Sequence, residues 1–153
     1  MIEYFRYGPG EGPEDDFFQF VKDSDAFFNP PLSVRVNVEE YAKKMFLNGT
    51  KQWFADNGKI IALSVAYYNK PPQESFGTYL FVLPEYESNG LGLKLVQNTL
   101  KYLKEFGADR YRVKIRASNK MLYKFYLLMG FKKTGEGLFP NTDEVEYELT
   151  KFF

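Results

Sequence analysis

The chain has 153 residues, 44% hydrophobic and 26% charged, and its twenty basic and twenty acidic side chains cancel. That is enough chain for one domain with a full core, and its neutrality gives nucleic acid no electrostatic foothold as a partner. With no cysteine and no histidine, disulfides, thiolate or imidazole metal sites, cysteine nucleophiles and Ser–His catalysis are excluded, and no metal is expected. No run reaches the roughly 18 apolar residues of a membrane span. Met1–Arg6 lacks the charged-then-apolar pattern of a secretion signal, so the expected location is cytoplasmic, with no membrane partner.

Ile2 to Tyr7 reads as a strand, broken by the glycine-proline run Gly8–Pro13. Glu14 to Phe28 reads as a helix with a phenylalanine-rich face behind Glu14, Asp15 and Asp16, and Asn29-Pro30-Pro31 ends it. Asn37 is the expected cap of a second helix through Phe46, with Glu40 three residues on in a capping-box pattern. Gln52–Ala55 and Lys59–Tyr68 read as strands, and Asp56-Asn57-Gly58 between them is a hairpin signal. A connection follows over Asn69 to Gln73 with Pro71-Pro72. Gly77–Leu83 is β-branched and aromatic, as a buried strand requires, and Pro84 stops it. Leu91, Leu95, Val96, Leu100, Leu103 and Phe106 recur at helical spacing before Gly107.

In Tyr111–Ala117 apolar Val113, Ile115 and Ala117 alternate with Arg112, Lys114 and Arg116, one face buried and the other a basic, solvated sheet surface. A short helix from about Asn119 to Met129 ends at Gly130, and Phe131–Gly137 and Val145–Phe153 read as two more strands. The order β-α-α-β-β-β-α-β-α-β-β predicts a single α/β (α+β) domain over residues 1–153. Its central sheet is expected to be mixed but mostly antiparallel, flanked by about four helices.

Two stretches carry chemistry. Glu87-Ser88-Asn89-Gly90-Leu91-Gly92 lies where a strand hands over to a helix. A helix start offers unpaired N–H groups and a positive dipole end to an anion, and glycine lets backbone approach a ligand closely. Read from the residues alone, the alternative is a plain strand–turn–helix connection. The stretch resembles motif A of the GNAT superfamily of acyl-CoA-dependent N-acetyltransferases: Gln or Arg, two residues, Gly, one residue, then Gly or Ala. The preceding strand, Pro84 and Tyr86 also fit. Glu87 departs from the pattern in place of Gln or Arg, and so does Ser88, where glycine is common. Asn119-Lys120-Met121-Leu122-Tyr123-Lys124-Phe125-Tyr126-Leu127-Leu128-Met129-Gly130-Phe131 is similar to motif B, in which an Asn opens a helix, a Tyr follows seven residues later and Gly-Phe ends the segment. The order of elements also matches that family over nearly the whole chain.

The resemblance implies acetyl-CoA as co-substrate, its pyrophosphate on the backbone of Glu87, Ser88, Asn89, Gly90, Leu91 and Gly92, and its pantetheine arm on Asn119. It further implies Tyr126 at the thioester sulfur as general acid, where a phenol of pKa about 10 can protonate a leaving thiolate. The backbone N–H of Val82 is the expected donor to the acetyl carbonyl. The bland alternative is that Asn119 only caps its helix and Tyr126 only packs in the core. Glu74, Glu85, Tyr67 and Tyr79 are all conceivable bases for the attacking amine.

The expected activity is direct transfer of an acetyl group to a primary amine of a small-molecule acceptor. Acetylation of a peptide or protein amine and non-catalytic acyl-CoA binding are the competing readings. The acceptor is expected to meet Phe17–Ser33, the Val36–Asn48 helix and the aromatic residues of Lys59–Tyr68. The scaffold admits a homodimer.

Overall fold

The computed structural model describes residues 1–69 and 74–153, so the connection expected at Pro71-Pro72 lies outside the described residues. The strands are β1 (Ile2–Tyr7), β2 (Thr50–Asp56), β3 (Lys59–Asn69), β4 (Glu74–Val82), β5 (Arg110–Arg116), β6 (Lys132–Leu138) and β7 (Val145–Phe152). They form one sheet in the order β1-β2-β3-β4-β5-β7-β6. Every neighbouring pair is antiparallel except β4 and β5. The helices are α1 (Glu14–Ser24), α2 (Leu32–Arg35), α3 (Val38–Asn48), α4 (Leu91–Glu105) and α5 (Lys120–Leu128), with 3₁₀ turns at Asp25–Phe27 and Pro84–Asn89.

Local chemistry accounts for most boundaries. Asn57 and Gly58 both take left-handed φ, 50° and 84°, which a two-residue hairpin turn requires. The Asn37 side chain accepts the Glu40 N–H at 3.1 Å and starts α3. The first helix is shorter than its sequence suggests. Ser24 Oγ donates back to the Val21 carbonyl at 2.7 Å, and Asp25 Oδ1 accepts the Ser33 N–H at 2.7 Å. Side chains that bond to nearby backbone compete with helix continuation. The chain therefore leaves α1 at Ser24 and turns into α2, a single turn that hydrophobic periodicity does not reveal.

The sheet is covered on both faces. On one, Phe17 and Val21 of α1 and Met45 and Phe46 of α3 pack with Trp53, Leu63, Val65 and Tyr79. On the other, Val96 and Leu103 of α4 and Tyr126 of α5 pack with Tyr111, Val113 and Ile115. Each such side chain contributes about 1.5–3 kcal/mol by leaving water. Two buried polar residues stitch the layers. Gln52 Nε2 donates to Ser64 Oγ and to the Leu95 carbonyl, both at 2.9 Å, while Tyr4 donates to Gln52 Oε1 at 2.6 Å. Lys51 Nζ donates to the carbonyls of Gly8, Phe46 and Gly49 at 2.9, 2.7 and 3.2 Å. Burial pushes the Lys51 ammonium down to about 8, against the pull of Glu11.

The sheet is interrupted at one place. β4 and β5 pair only from Glu74–Arg110 to Gly77–Val113, and then part. Beside that point the β3–β4 register shifts, Val65 facing Tyr79 and Ala66 facing Gly77, so Thr78 is the extra residue of a bulge. A bulge bends its strand and raises the local twist. β4 is thereby directed away from β5. Gly77 lies directly against β5: a side-chain carbon there would run into the Tyr111 phenol and meet Val113 Cγ1 at 3.0 Å. Tyr111 is itself buried, so it cannot simply swing aside. Gly77→Ala is expected to destabilise the protein by about 1–3 kcal/mol, the usual cost of overpacking. Thermal or denaturant unfolding checks this, and an unchanged midpoint would mean that Tyr111 yields freely.

Candidate active site

Where β4 and β5 part, a cleft of about 560 Å³ opens. Side chains of both parities on β5 line it, Tyr111, Val113 and Ile115 together with Lys114 and Arg116. Since successive strand residues point to opposite faces, the cleft passes through the sheet. On the α5 side it is lined by Asn119, Leu122 and Tyr126. On the other side stand Phe27, Phe28, Arg35, Phe139 and Glu146.

The two motif-B positions are brought together. Asn119 caps α5, its Oδ1 accepting the Leu122 N–H at 3.1 Å. Tyr126 is 4% exposed and packs edge-on against Phe131 at 4.9 Å. Burial pushes its phenol far up, so the hydroxyl keeps its proton through the neutral range. Val82 stands at the end of β4. Leu83 N donates to the Ile61 carbonyl at 2.9 Å and Val82 faces Ala62. N–H directions alternate along an antiparallel ladder, so the Val82 N–H points away from β3, on the edge that β5 has left, although Val82 itself does not line the cleft.

Residues 84–92 do not line the cleft. Glu87, Ser88 and Asn89 are exposed on the 3₁₀ turn, and Leu91 is buried beneath it with Phe54, Ile61 and Leu95. Gly90 has φ 71° and begins α4 with no side-chain cap. A side-chain carbon at Gly90 would meet nothing within 4 Å, so the space over this turn is open. A 15-residue helix thus presents uncapped N–H groups to that space. This is a fit for an anionic group of an acyl-CoA.

The basic face of β5 differs from the solvated surface expected of it. Arg112 pairs with Glu74 at 2.6 Å and Glu148 at 3.4 Å, Lys114 with Glu146 at 3.8 Å, and Arg116 with Glu144 at 3.5 Å. Glu146 is 9% exposed; burial raises its carboxyl, opposed by Lys114 and Arg35. Among the conceivable bases, Glu74 is held by Arg112, Glu85 is exposed, and neither they nor Tyr67 line the cleft. Tyr79 does, but its hydroxyl donates to Ser24 Oγ at 2.7 Å. Of the acceptor walls expected from sequence, Phe27–Pro30 lie in the cleft, while α3 and the aromatics of β3 do not. Arg35 and Glu146 were missed. Arg35 sits on the unforeseen α2. Glu146 and Glu148 alternate on β7 opposite Arg116 and Lys114, a complementary charge pattern visible in the sequence.

The Acetyltransferase (GNAT) family pattern matches residues 14–131. The chain belongs to this family of acyl-CoA-dependent acetyltransferases, whose acceptors are amines. It is an acetyltransferase by that membership. No curated protein matches it. Among solved structures, the ribosomal-protein-S18-alanine N-acetyltransferase of Escherichia coli is similar at TM-score 0.76 and 19% identity, over 97% of this chain and 92% of that one. Arabidopsis thaliana NAA60, solved with a bisubstrate analogue, is similar at 0.76 and 14%, over 99% and 98%. A Bacillus anthracis protein with acetyl coenzyme A bound is similar at 0.61 and 20%, over 69% and 63%.

One contact holds the bulge that opens the cleft. The Tyr41 hydroxyl donates to the Thr78 carbonyl at 2.5 Å and lies 2.7 Å from Thr78 Oγ1. Tyr41→Phe leaves that carbonyl without its partner, at a cost of about 1–2 kcal/mol. Unfolding should report this loss, and amide exchange across Gly77–Tyr79 should quicken. Unchanged exchange there would mean that packing alone fixes the bulge.

Proposed function

We propose that this acetyltransferase moves the acetyl group of acetyl-CoA to a primary amine of a small-molecule acceptor, by direct attack of the amine on the thioester. The observation that carries this reading is the through-sheet cleft, with Asn119 and Tyr126 on one face and a separate aromatic and charged wall on the other. Its size is that of a small-ligand pocket, within about 300–1,000 Å³. Acetylation of a peptide or protein amine is the competing reading, since the Escherichia coli neighbour bears the name of an enzyme for a ribosomal protein. A turnover screen with acetyl-CoA, followed by free thiol, across amino sugars, polyamines, amino acids and peptides separates the two. We place the reaction in the cytoplasm; among the described residues no helix is long and apolar enough to cross a membrane.

In this reading the pyrophosphate lies on the backbone of Glu87, Ser88, Asn89, Gly90, Leu91 and Gly92, with only N–H groups contributed by the buried Leu91. Asn119 holds the pantetheine arm, and the Val82 N–H meets the acetyl carbonyl as charge develops on it. Tyr126, kept protonated by burial, gives its proton to the leaving sulfur as the C–S bond breaks, and the proton shed by the attacking nitrogen returns to the phenolate through solvent. No residue is acetylated on the way, because no serine has a histidine to activate it and no cysteine is present.

Two variants test the placement. Gly90→Val puts a β-branched residue at φ 71°, a conformation such residues scarcely adopt. It should cost about 1–2 kcal/mol of stability and weaken acetyl-CoA binding at least tenfold in calorimetry. Parent-like affinity in a folded variant would remove the pyrophosphate from this turn. Tyr126→Phe should lower kcat by about 10²–10⁴-fold, the range of general acid catalysis, with coenzyme A affinity kept. A rise in KM with kcat unchanged would leave the hydroxyl a binding role only.

A further inference from the structure

The wall opposite α5 carries charge to which the acetyl-transfer reading above assigns no role. Arg35 lines the cleft, and among the described residues its guanidinium has no ion pair and no hydrogen bond; it lies over the Phe139 ring at 5.7 Å. Arg116 gives Nη1 to Glu144 at 3.5 Å, but its Nε is buried without a hydrogen-bond partner. A buried donor left unpaired is costly, and an incoming carboxylate oxygen would satisfy it. Glu146 is the single carboxylate among the residues lining the cleft, beside three cations, Arg35, Lys114 and Arg116.

The wall is held in place. Asn141 Nδ2 donates to the Val34 carbonyl at 3.1 Å, tying the β6–β7 loop to α2, and the Ser33 N–H is held by Asp25 at 2.7 Å. Arg35 therefore projects from a fixed turn of helix. A polyamine would meet three cations there against Glu146 and, beside Arg116, Glu144, an unfavourable balance. A molecule with both signs of charge fits all of these groups at once. We propose that the acceptor is an amine that also carries an anionic group, its ammonium facing Glu146 and its anion facing Arg35 and the Nε of Arg116. Phe27, Phe28 and Phe139 supply an apolar wall beside them.

This inference rests on the acetyl-transfer reading above. The test uses three matched amines, phenylalanine, phenylalaninamide and 2-phenylethylamine, which share a ring and an ammonium and differ in the anion. Hydrogen bonds to charged groups are strong enough that phenylalanine should exceed the other two by roughly tenfold or more in kcat/KM. In Arg35→Gln that ratio should fall toward one, and Arg35→Lys should restore part of it. Glu146→Gln should lower kcat/KM for all three amines alike, since all carry the ammonium. Equal turnover of the three by the parent, a ratio unchanged in both Arg35→Gln and Arg116→Gln, or a Glu146→Gln loss confined to one amine overturns the proposal. So does a parent that acetylates none of them. In that last case calorimetry with acetyl-CoA distinguishes the failures: retained binding rejects only the acceptor, and absent binding rejects the transfer reading as well.

Discussion

The parting of β4 from β5 is the constraint on which the rest of this structure depends. Four residue pairs, Glu74–Arg110 through Gly77–Val113, hold the two parallel strands together. Beyond them Thr78 is inserted into the β3–β4 ladder and β4 bends away. The opening exposes the free edge of β4, including the N–H of Val82, and lets one cleft reach both faces of the sheet. Unpaired ladder groups would cost about 1–3 kcal/mol each if left buried and unsatisfied. A sheet that forgoes them in its middle must be held elsewhere.

It is held on the far side of β5. That strand pairs with β7 along its whole length, Arg110–Phe152 to Arg116–Glu146. Arg112, Lys114 and Arg116 meet carboxylates along this seam, Arg112 bridging Glu74 of β4 and Glu148 of β7. Singly, half-exposed pairs contribute little, about 0–1 kcal/mol. Set side by side across one strand, they fix the register in which β5 continues after β4 has left it. On the other flank Lys51 and Gln52 act similarly from inside β2, binding backbone carbonyls of the β1–α1 loop, α3 and α4. The cleft is thus a gap between two braced halves of a sheet.

The sequence made the braced halves readable and left the gap obscure. Strands and helices announce themselves through periodicity and turn chemistry, as at Asn57-Gly58 and the Asn37 cap. The motif helix and strand fall within a few residues of their expected bounds, because Pro84 ends the strand and Gly107 sits at the left-handed φ that a helix stop implies. The bulge at Thr78 has no such local signal; it arises from the partner register and from Tyr41, 37 residues away in sequence. α2 is one turn long, too short for any periodicity, so Arg35 could not be placed. Lys114 and Arg116 read as surface because alternation tells which face a side chain takes but not that the sheet splits beside it.

Asn119 and Tyr126 illustrate why a structural role and a chemical one need not compete. Asn119 spends its Oδ1 on the Leu122 N–H, which fixes the side chain and turns its amide nitrogen, a donor, outward from the helix start. Capping orients the group that the pantetheine reading needs. Tyr126 spends its ring on Phe131 and Phe125. Its hydroxyl state is set by desolvation alone, with no internal partner contributing to the shift. The packing that makes it a core aromatic therefore also raises its pKa and keeps it protonated. A thiolate desolvated in the same cleft becomes a stronger base by the same effect, and it is that base which would take the proton. Rigid packing of the ring costs the hydroxyl no freedom it needs for that transfer, and it fixes the direction in which the proton can go.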